Sequence, residues 1–287
     1  MNPRINPRAV ALAIIATAAT LLAAPAAWAS IVTFESAGAN AAAITATRDA
    51  FRLAVGGGAV AGANGSFGGL RREISWDGVP DALSDPNALP ANFFNVNSPR
   101  GAVFSTPGSG FLVSANAGLA TPTLFGFPGD FQSFSAQRLF TAVDSNITDV
   151  RFFVPGTLLA TTTSAFAAIF VDVEIAAITR IEFFDASNTL IFTRDALVAG
   201  NLGLSFVGGV ANAGERISRV RLTSGLNTIR SNGVLGNSTD DVVVMDDFLY
   251  AEPEALRTIP EPSSLALFAL GLAGCLTRVR RRLYDHA

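Results

Sequence analysis

The sequence predicts an all-β protein: an antiparallel β-sandwich with one short helix near its start and an apolar helix at each end. Three observations predict it. Short runs rich in Val, Ile, Phe and Thr recur between residues 31 and 250, broken by Gly, Asn, Asp and Pro, as strands joined by turns are. The run Ile217–Leu222 alternates, with Ile217, Arg219 and Arg221 on one face and Ser218, Val220 and Leu222 on the other. The composition, 49% hydrophobic and 15% charged with 26 Gly and 14 Pro, is too apolar for disorder and too interrupted for a helical bundle.

Taken in order, residues 1–29 carry a positive front (Arg4, Arg8), a charge-free apolar run from Val10 to Ala24, and Pro25-Ala-Ala-Trp-Ala29 with small residues at −3 and −1. That is the layout of a secretory signal peptide cleaved before Ser30, and no Cys follows the cleavage point to make a lipoprotein. Ile31–Glu35 opens the strand set. Ala41–Val55 reads as the short helix, between Asn40 and Gly56-Gly-Gly58. Residues 62–100 form a long irregular segment holding Trp76, Asp77, Asp81, Asp85 and Phe93-Phe94, whose aromatic content predicts a packed loop. Further strands are predicted at 101–104, 110–114, 148–154, 165–174, 180–184, 190–193, 202–207, 217–222 and 242–250, all within one secreted domain, residues 30–257.

The C-terminal segment, residues 258–287, mirrors the first. Pro260-Glu261-Pro262 breaks the chain, Leu265–Thr277 runs without charge, and Arg278, Arg280, Arg281 and Arg282 close it. As a helix the apolar run spans roughly 20 Å, less than the ~30 Å hydrocarbon core, and the arginines belong on the cytoplasmic side. These three parts, in this order, resemble the PEP-CTERM sorting signal of Gram-negative bacteria. The resemblance implies export through the secretion machinery, transient anchoring in the membrane by the C-terminal helix, and recognition by an exosortase. Cleavage near the Pro-Glu-Pro triplet and delivery to the cell surface or matrix would follow, in a family associated with exopolysaccharide and biofilm. A plain C-terminal anchor is the competing reading of the same residues.

The chemistry available to the exported part is narrow. All 20 basic residues are Arg; the single Cys (Cys275) and single His (His286) lie in the tail. No Ser-His-Asp triad, thiol nucleophile, His/Cys zinc site, Schiff base or Walker lysine can be built from residues 30–257. Between residues 31 and 259 there are 14 Arg against 21 Asp plus Glu, a net charge near −7, which argues against nucleic acid as a partner.

Three constellations remain. Glu35 on the first strand and Asp246 and Asp247 on the last are candidate calcium ligands if those strands are neighbours, because Ca²⁺ takes clustered carboxylate and carbonyl oxygens. That placement is similar to the structural calcium site of jelly-roll carbohydrate-binding modules, which would make the sandwich jelly-roll-like and Ca²⁺ a structural cofactor. Trp76 with Asp77 fits a sugar-stacking platform, although an aromatic anchor in the core is the preferred reading of Trp76. Asp172 and Glu174 share a strand face; a glycosidase needs such a pair across a cleft, but a solvated sheet face explains it more simply. The expectation is therefore a non-catalytic polysaccharide-binding or structural surface protein, not an enzyme. The alternative is a carboxylate-only glycoside hydrolase or lyase acting on extracellular polysaccharide.

Overall fold

The structure, a computed structural model, describes residues 31–56, 71–116, 123–230 and 240–255, together with Gly271. The predicted signal peptide and, but for Gly271, the sorting signal with its apolar helix lie outside these residues. Among the described residues no helix is long and apolar enough to cross a membrane.

The order of elements is β1 (Ile31–Gly38), α1 (Ala41–Val55), β2 (Arg71–Ile74), α2 (Phe93–Val96), β3 (Ala102–Ser105), β4 (Gly110–Val113), β5 (Phe140–Val143) and β6 (Ile147–Phe152). There follow β7 (Ala165–Val171), β8 (Arg180–Phe184), β9 (Leu190–Asp195), β10 (Leu204–Ala211), β11 (Arg219–Thr223) and β12 (Val244–Ala251). One sheet runs β1-β10-β7-β12-β5-β4, with β2 also paired to β12; the other runs β3-β6-β11-β8-β9. Every pairing between these strands is antiparallel, as the turn-punctuated sequence predicts.

The apolar faces of the two sheets meet in a core that includes Phe104, Val150, Phe152, Ile181, Phe183, Val220 and Leu222 from the smaller sheet and Phe140, Phe166, Phe170, Met245, Phe248 and Tyr250 from the larger. Val220 and Leu222 enter the core and Arg221 is half-exposed, so the alternation holds over these three residues; Ile217, read on the Arg face, lies before the strand and packs in the same core as Val220 and Leu222, and Arg219 is buried. The larger sheet is covered on its other face too. Ile44 and Phe51 of α1, with Phe125 and Phe131 from loops, pack on Ala165, Ala167, Ile169, Val171 and Phe206. This explains the unbroken apolar run of β7: Phe166, Ala168 and Phe170 face one core while Ala165, Ala167, Ile169 and Val171 face the other.

The predicted helix is observed with its predicted ends. The Asn40 side chain accepts from the Ala43 amide at 3.3 Å, and Gly56, at φ 119°, closes the helix in a left-handed conformation open to glycine. Two strands, β2 and β5, are absent from the predicted set. β2 is three charged residues and one Ile, yet Arg71, Arg72 and Ile74 are buried. Its charges are neutralised in place: Arg72 pairs in bidentate fashion with Glu252 beyond β12, and Glu73 is held by Arg71 and by Arg52 of α1. The segment predicted as one long irregular loop thus contains a strand, a 3₁₀ turn at Asp81–Leu83 and α2 within its described part.

Candidate functional site

The calcium trio predicted from Glu35, Asp246 and Asp247 does not assemble, because β10 and β7 lie between β1 and β12. The first and last strands are not neighbours, and the assumption that they were is corrected. Glu35 instead makes a bidentate ion pair with Arg194 of β9, at 2.6 and 2.5 Å, which holds its carboxyl below the usual carboxylate value. The pair is partly solvated, with Glu35 24% and Arg194 47% exposed. Glu35→Gln is therefore expected to cost less than about 1 kcal/mol, measured by urea unfolding, and the loss should shrink further at high salt.

Asp246 and Asp247 are brought together by a bulge. Met245 lies opposite Phe170 and Phe248 opposite Ala168, so both acids share the space facing Ile169. On the other flank β12 meets β5 at Phe140 and β2 at Ile74, leaving the acids facing residues 133–138. Asp246 Oδ2 accepts from the Phe134 amide at 2.5 Å, and the Ser135 hydroxyl lies 3.0 Å from Asp246 Oδ1 and 2.8 Å from Asp247 Oδ1. Asp246 is wholly buried and Asp247 nearly so. Burial, then the neighbouring carboxylate, pushes Asp246 well above the ordinary value; burial also raises Asp247. The two carboxyls thus share one serine hydroxyl in the sandwich wall.

Trp76 is 1% exposed, stacked on Phe140 (centroids 4.0 Å apart, planes at 3°), and its indole donates to the Asp246 carbonyl at 2.8 Å. It is a core anchor, and the sugar-platform reading is corrected: a ring enclosed by Phe94, Phe140 and Phe248 presents no face to a ligand. Asp77 is also engaged, accepting from the Gln137 and Arg138 amides at 3.0 and 3.1 Å and tying the same loop to the 133–138 segment.

A second acidic group forms where β7 ends and β12 is about to begin. Val171 pairs with Val244, so Asp172, one residue beyond, and Asp241, three residues before, come to the same end of the sheet. Asp172, Glu174 and Asp241 offer one carboxylate oxygen each, all within 4.8 Å of one another, close enough for three ligands of one metal ion. Asp172 adopts φ 74°, and its Oδ1 accepts from the Leu202 amide at 2.8 Å. Asp241 Oδ2 accepts from the Glu174 and Ile175 amides at 3.1 and 3.0 Å. Gly225, at φ 64°, passes so close to the Asp241 carbonyl that a β-carbon there would collide with it. Burial foremost, together with the charges of Glu174, Asp241 and Asp130, pushes the Asp172 carboxyl up to about 7; burial likewise raises Asp241. Sequence reading singled out Asp172 and Glu174 but missed Asp241, 67 residues away from Glu174, because no local spacing connects them.

A cleft of about 540 Å³ opens elsewhere on the surface, lined by Phe111, Phe125, Phe127, Ser109, Asp85 and Arg230 among others. Phe125 in its wall, and Leu124 just before it, have φ 56° and 48°, rare for bulky side chains and held here by the burial of Phe125. Asp85 is the one acid among the described residues of its lining.

No curated protein and no solved structure matches the chain. Residues 258–282 match the PEP-CTERM protein-sorting motif, coinciding with the triplet, apolar run and arginine cluster read from the sequence. The chain therefore carries a PEP-CTERM sorting motif, which implies export, a transiently membrane-anchored C-terminus and an exosortase as its processing partner.

Proposed function

We propose that the exported sandwich is a non-catalytic component of the cell surface or extracellular matrix of a Gram-negative bacterium, and that it contacts polysaccharide through the cleft at the half-buried ring of Phe127. The observation that carries this reading is the make-up of that cleft. The half-buried ring of Phe127 stands with a few polar groups, Asp85, Ser109 and Arg230, as carbohydrate sites combine stacking with hydroxyl recognition. The one acid among the described lining residues is too few for the two-carboxylate chemistry of a glycosidase. The buried acids elsewhere, Asp172, Asp241, Asp246 and Asp247, are 6% exposed or less and out of reach of a polymer. Export toward an exosortase favours the same setting, a matrix or biofilm. Strand order supports a jelly-roll-like sandwich: β5–β12 divide into β5-β12-β7-β10 and β6-β11-β8-β9, the exchange between sheets that two Greek keys produce.

The burial of Trp76 favours a second reading, a purely structural surface protein without glycan affinity. Co-sedimentation of the full-length protein in mild detergent with the source organism's exopolysaccharide separates the two. Wild type should pellet with the polymer, and Phe127→Ala, at a half-buried cleft position, should weaken binding by roughly tenfold, as expected for one lost stacking contact. Wild type remaining in the supernatant would leave the structural reading, and cleavage of the polymer would establish the enzyme instead.

A further inference from the structure

Acids in this fold are commonly matched with arginine. Asp149 is held by Arg219 and Arg221, Glu73 by Arg52 and Arg71, Glu252 by Arg72, and Asp81 by Arg138. The group at the end of β7 is built otherwise. Among the described ion pairs none involves Asp172, Glu174 or Asp241. Asp172 and Asp241 are nonetheless 5% and 3% exposed, so water does little to separate their charges. Asp241 adds an independent sign: its Oδ2 is satisfied by two amides, while its buried Oδ1 has no hydrogen-bond partner. The bulge pair Asp246–Asp247 shows what a closed solution looks like, with a serine hydroxyl and backbone amides supplied to the acids.

We propose that Asp172, Glu174 and Asp241 ligate a calcium ion that ties the end of β7 to the approach to β12. The donors are oxygens alone, which selects a hard cation over zinc or copper. Exposed Glu174 forms the entry, Asp172 and the otherwise orphaned Asp241 Oδ1 form the floor, and solvent can complete a six- to eight-oxygen shell around calcium. Calcium fits better than magnesium because the carboxylates are fixed by backbone amides at irregular positions, whereas magnesium demands a near-ideal octahedron. The ion links three segments. Asp172 is clamped to Leu202, Val173 O accepts from Ala199 and Gly200, and the Asp241 carbonyl accepts from Leu226 and Asn227. The site is remote in composition from the Phe-lined cleft and does not depend on a polysaccharide ligand.

The test is calorimetric titration of the full-length protein in mild detergent with CaCl₂ at constant ionic strength, paired with thermal unfolding. The expected result is saturable binding with a dissociation constant on the order of 10⁻⁵ to 10⁻³ M, the range of exported calcium modules and weak sensors. At ten times that concentration, Tm should rise by roughly 3–6 °C. Glu174→Gln removes a ligand at an exposed position without touching the core and should weaken binding at least about tenfold; Asp241→Asn should abolish it. MgCl₂ should bind more weakly than CaCl₂. No saturable heat and no Tm shift at about 10 mM CaCl₂ would overturn the proposal. An equal response from wild type and Glu174→Gln would overturn it as well, because binding would then lie elsewhere.

Discussion

Replacing Trp76 by alanine is expected to destabilise the folded sandwich by about 3–5 kcal/mol, read as a lowered urea midpoint with an unchanged m-value. Three losses combine. The ring leaves a cavity among Phe94, Phe104, Phe140 and Phe248, where close packing prevents full collapse. Stacking on Phe140 disappears, and the Asp246 carbonyl loses its indole donor. Trp76→Phe keeps a ring and drops only the indole N–H and part of the volume, so its cost should be roughly half as large. A Trp76→Ala protein within about 1 kcal/mol of wild type would contradict the core-anchor assignment.

The second large effect is expected at the Asp246–Asp247 pair, both from substitution and from pH. Asp246→Ala leaves the half-buried Phe134 and Ser135 amides without their acceptor, at up to about 1–3 kcal/mol each, while the Ser135 hydroxyl keeps Asp247. The direction of the pH effect follows from the folded state holding a proton that the unfolded chain releases. Burial raises the folded Asp246 carboxyl far above its unfolded value near 3.8. The contribution is fully present below that unfolded value and is lost as pH rises through the folded one. Asp247 has the same sign; Glu73 and Asp77 add negative charge beside it. Glu35, Asp49 and Asp149 act oppositely: arginine contacts lower their carboxyls, so their contribution is lost only as pH falls below the ordinary values, 4.5 for Glu35 and 3.8 for the two aspartates, through their folded values. Asp246→Asn retains an acceptor for the Phe134 amide and an N–H donor toward Asp247, so it should replace the shared proton. Thermal unfolding across the neutral and alkaline range should show wild type losing stability faster than Asp246→Asn. Parallel curves would show that the pair carries no shared proton.

What was legible in the sequence was local. Asn40 and Gly56 bracket a helix because a side-chain acceptor and a left-handed glycine close helix ends wherever they occur. Val220–Leu222 alternates because a strand buries one face and leaves the other toward water, whereas Ile217, just before the strand, packs in the same core. β2 was hidden because Arg71, Arg72 and Glu73 look solvated until Arg52 and Glu252, distant in sequence, are placed against them. The neighbours of Glu35 were misjudged for a related reason. Sequence order says that β1 is first and β12 last, but it does not say that β10 and β7 come between them.

The sequence by itself determined the destination of this protein and the kind of domain it carries. A sorting signal is contiguous, so Pro260, Glu261, Pro262 and Arg278–Arg282 are readable in one line. An antiparallel sheet likewise announces itself through short alternating runs. Only the tertiary structure decided which acids meet. Asp172 joins Asp241 because β7 and β12 are paired, Asp246 joins Asp247 on one flank because a bulge interrupts that pairing, and Glu35 is left to Arg194. Carboxylates separated along the chain carry no record of their partners; proximity between them is set by strand order and register, which emerge when two sheets bury their apolar faces together.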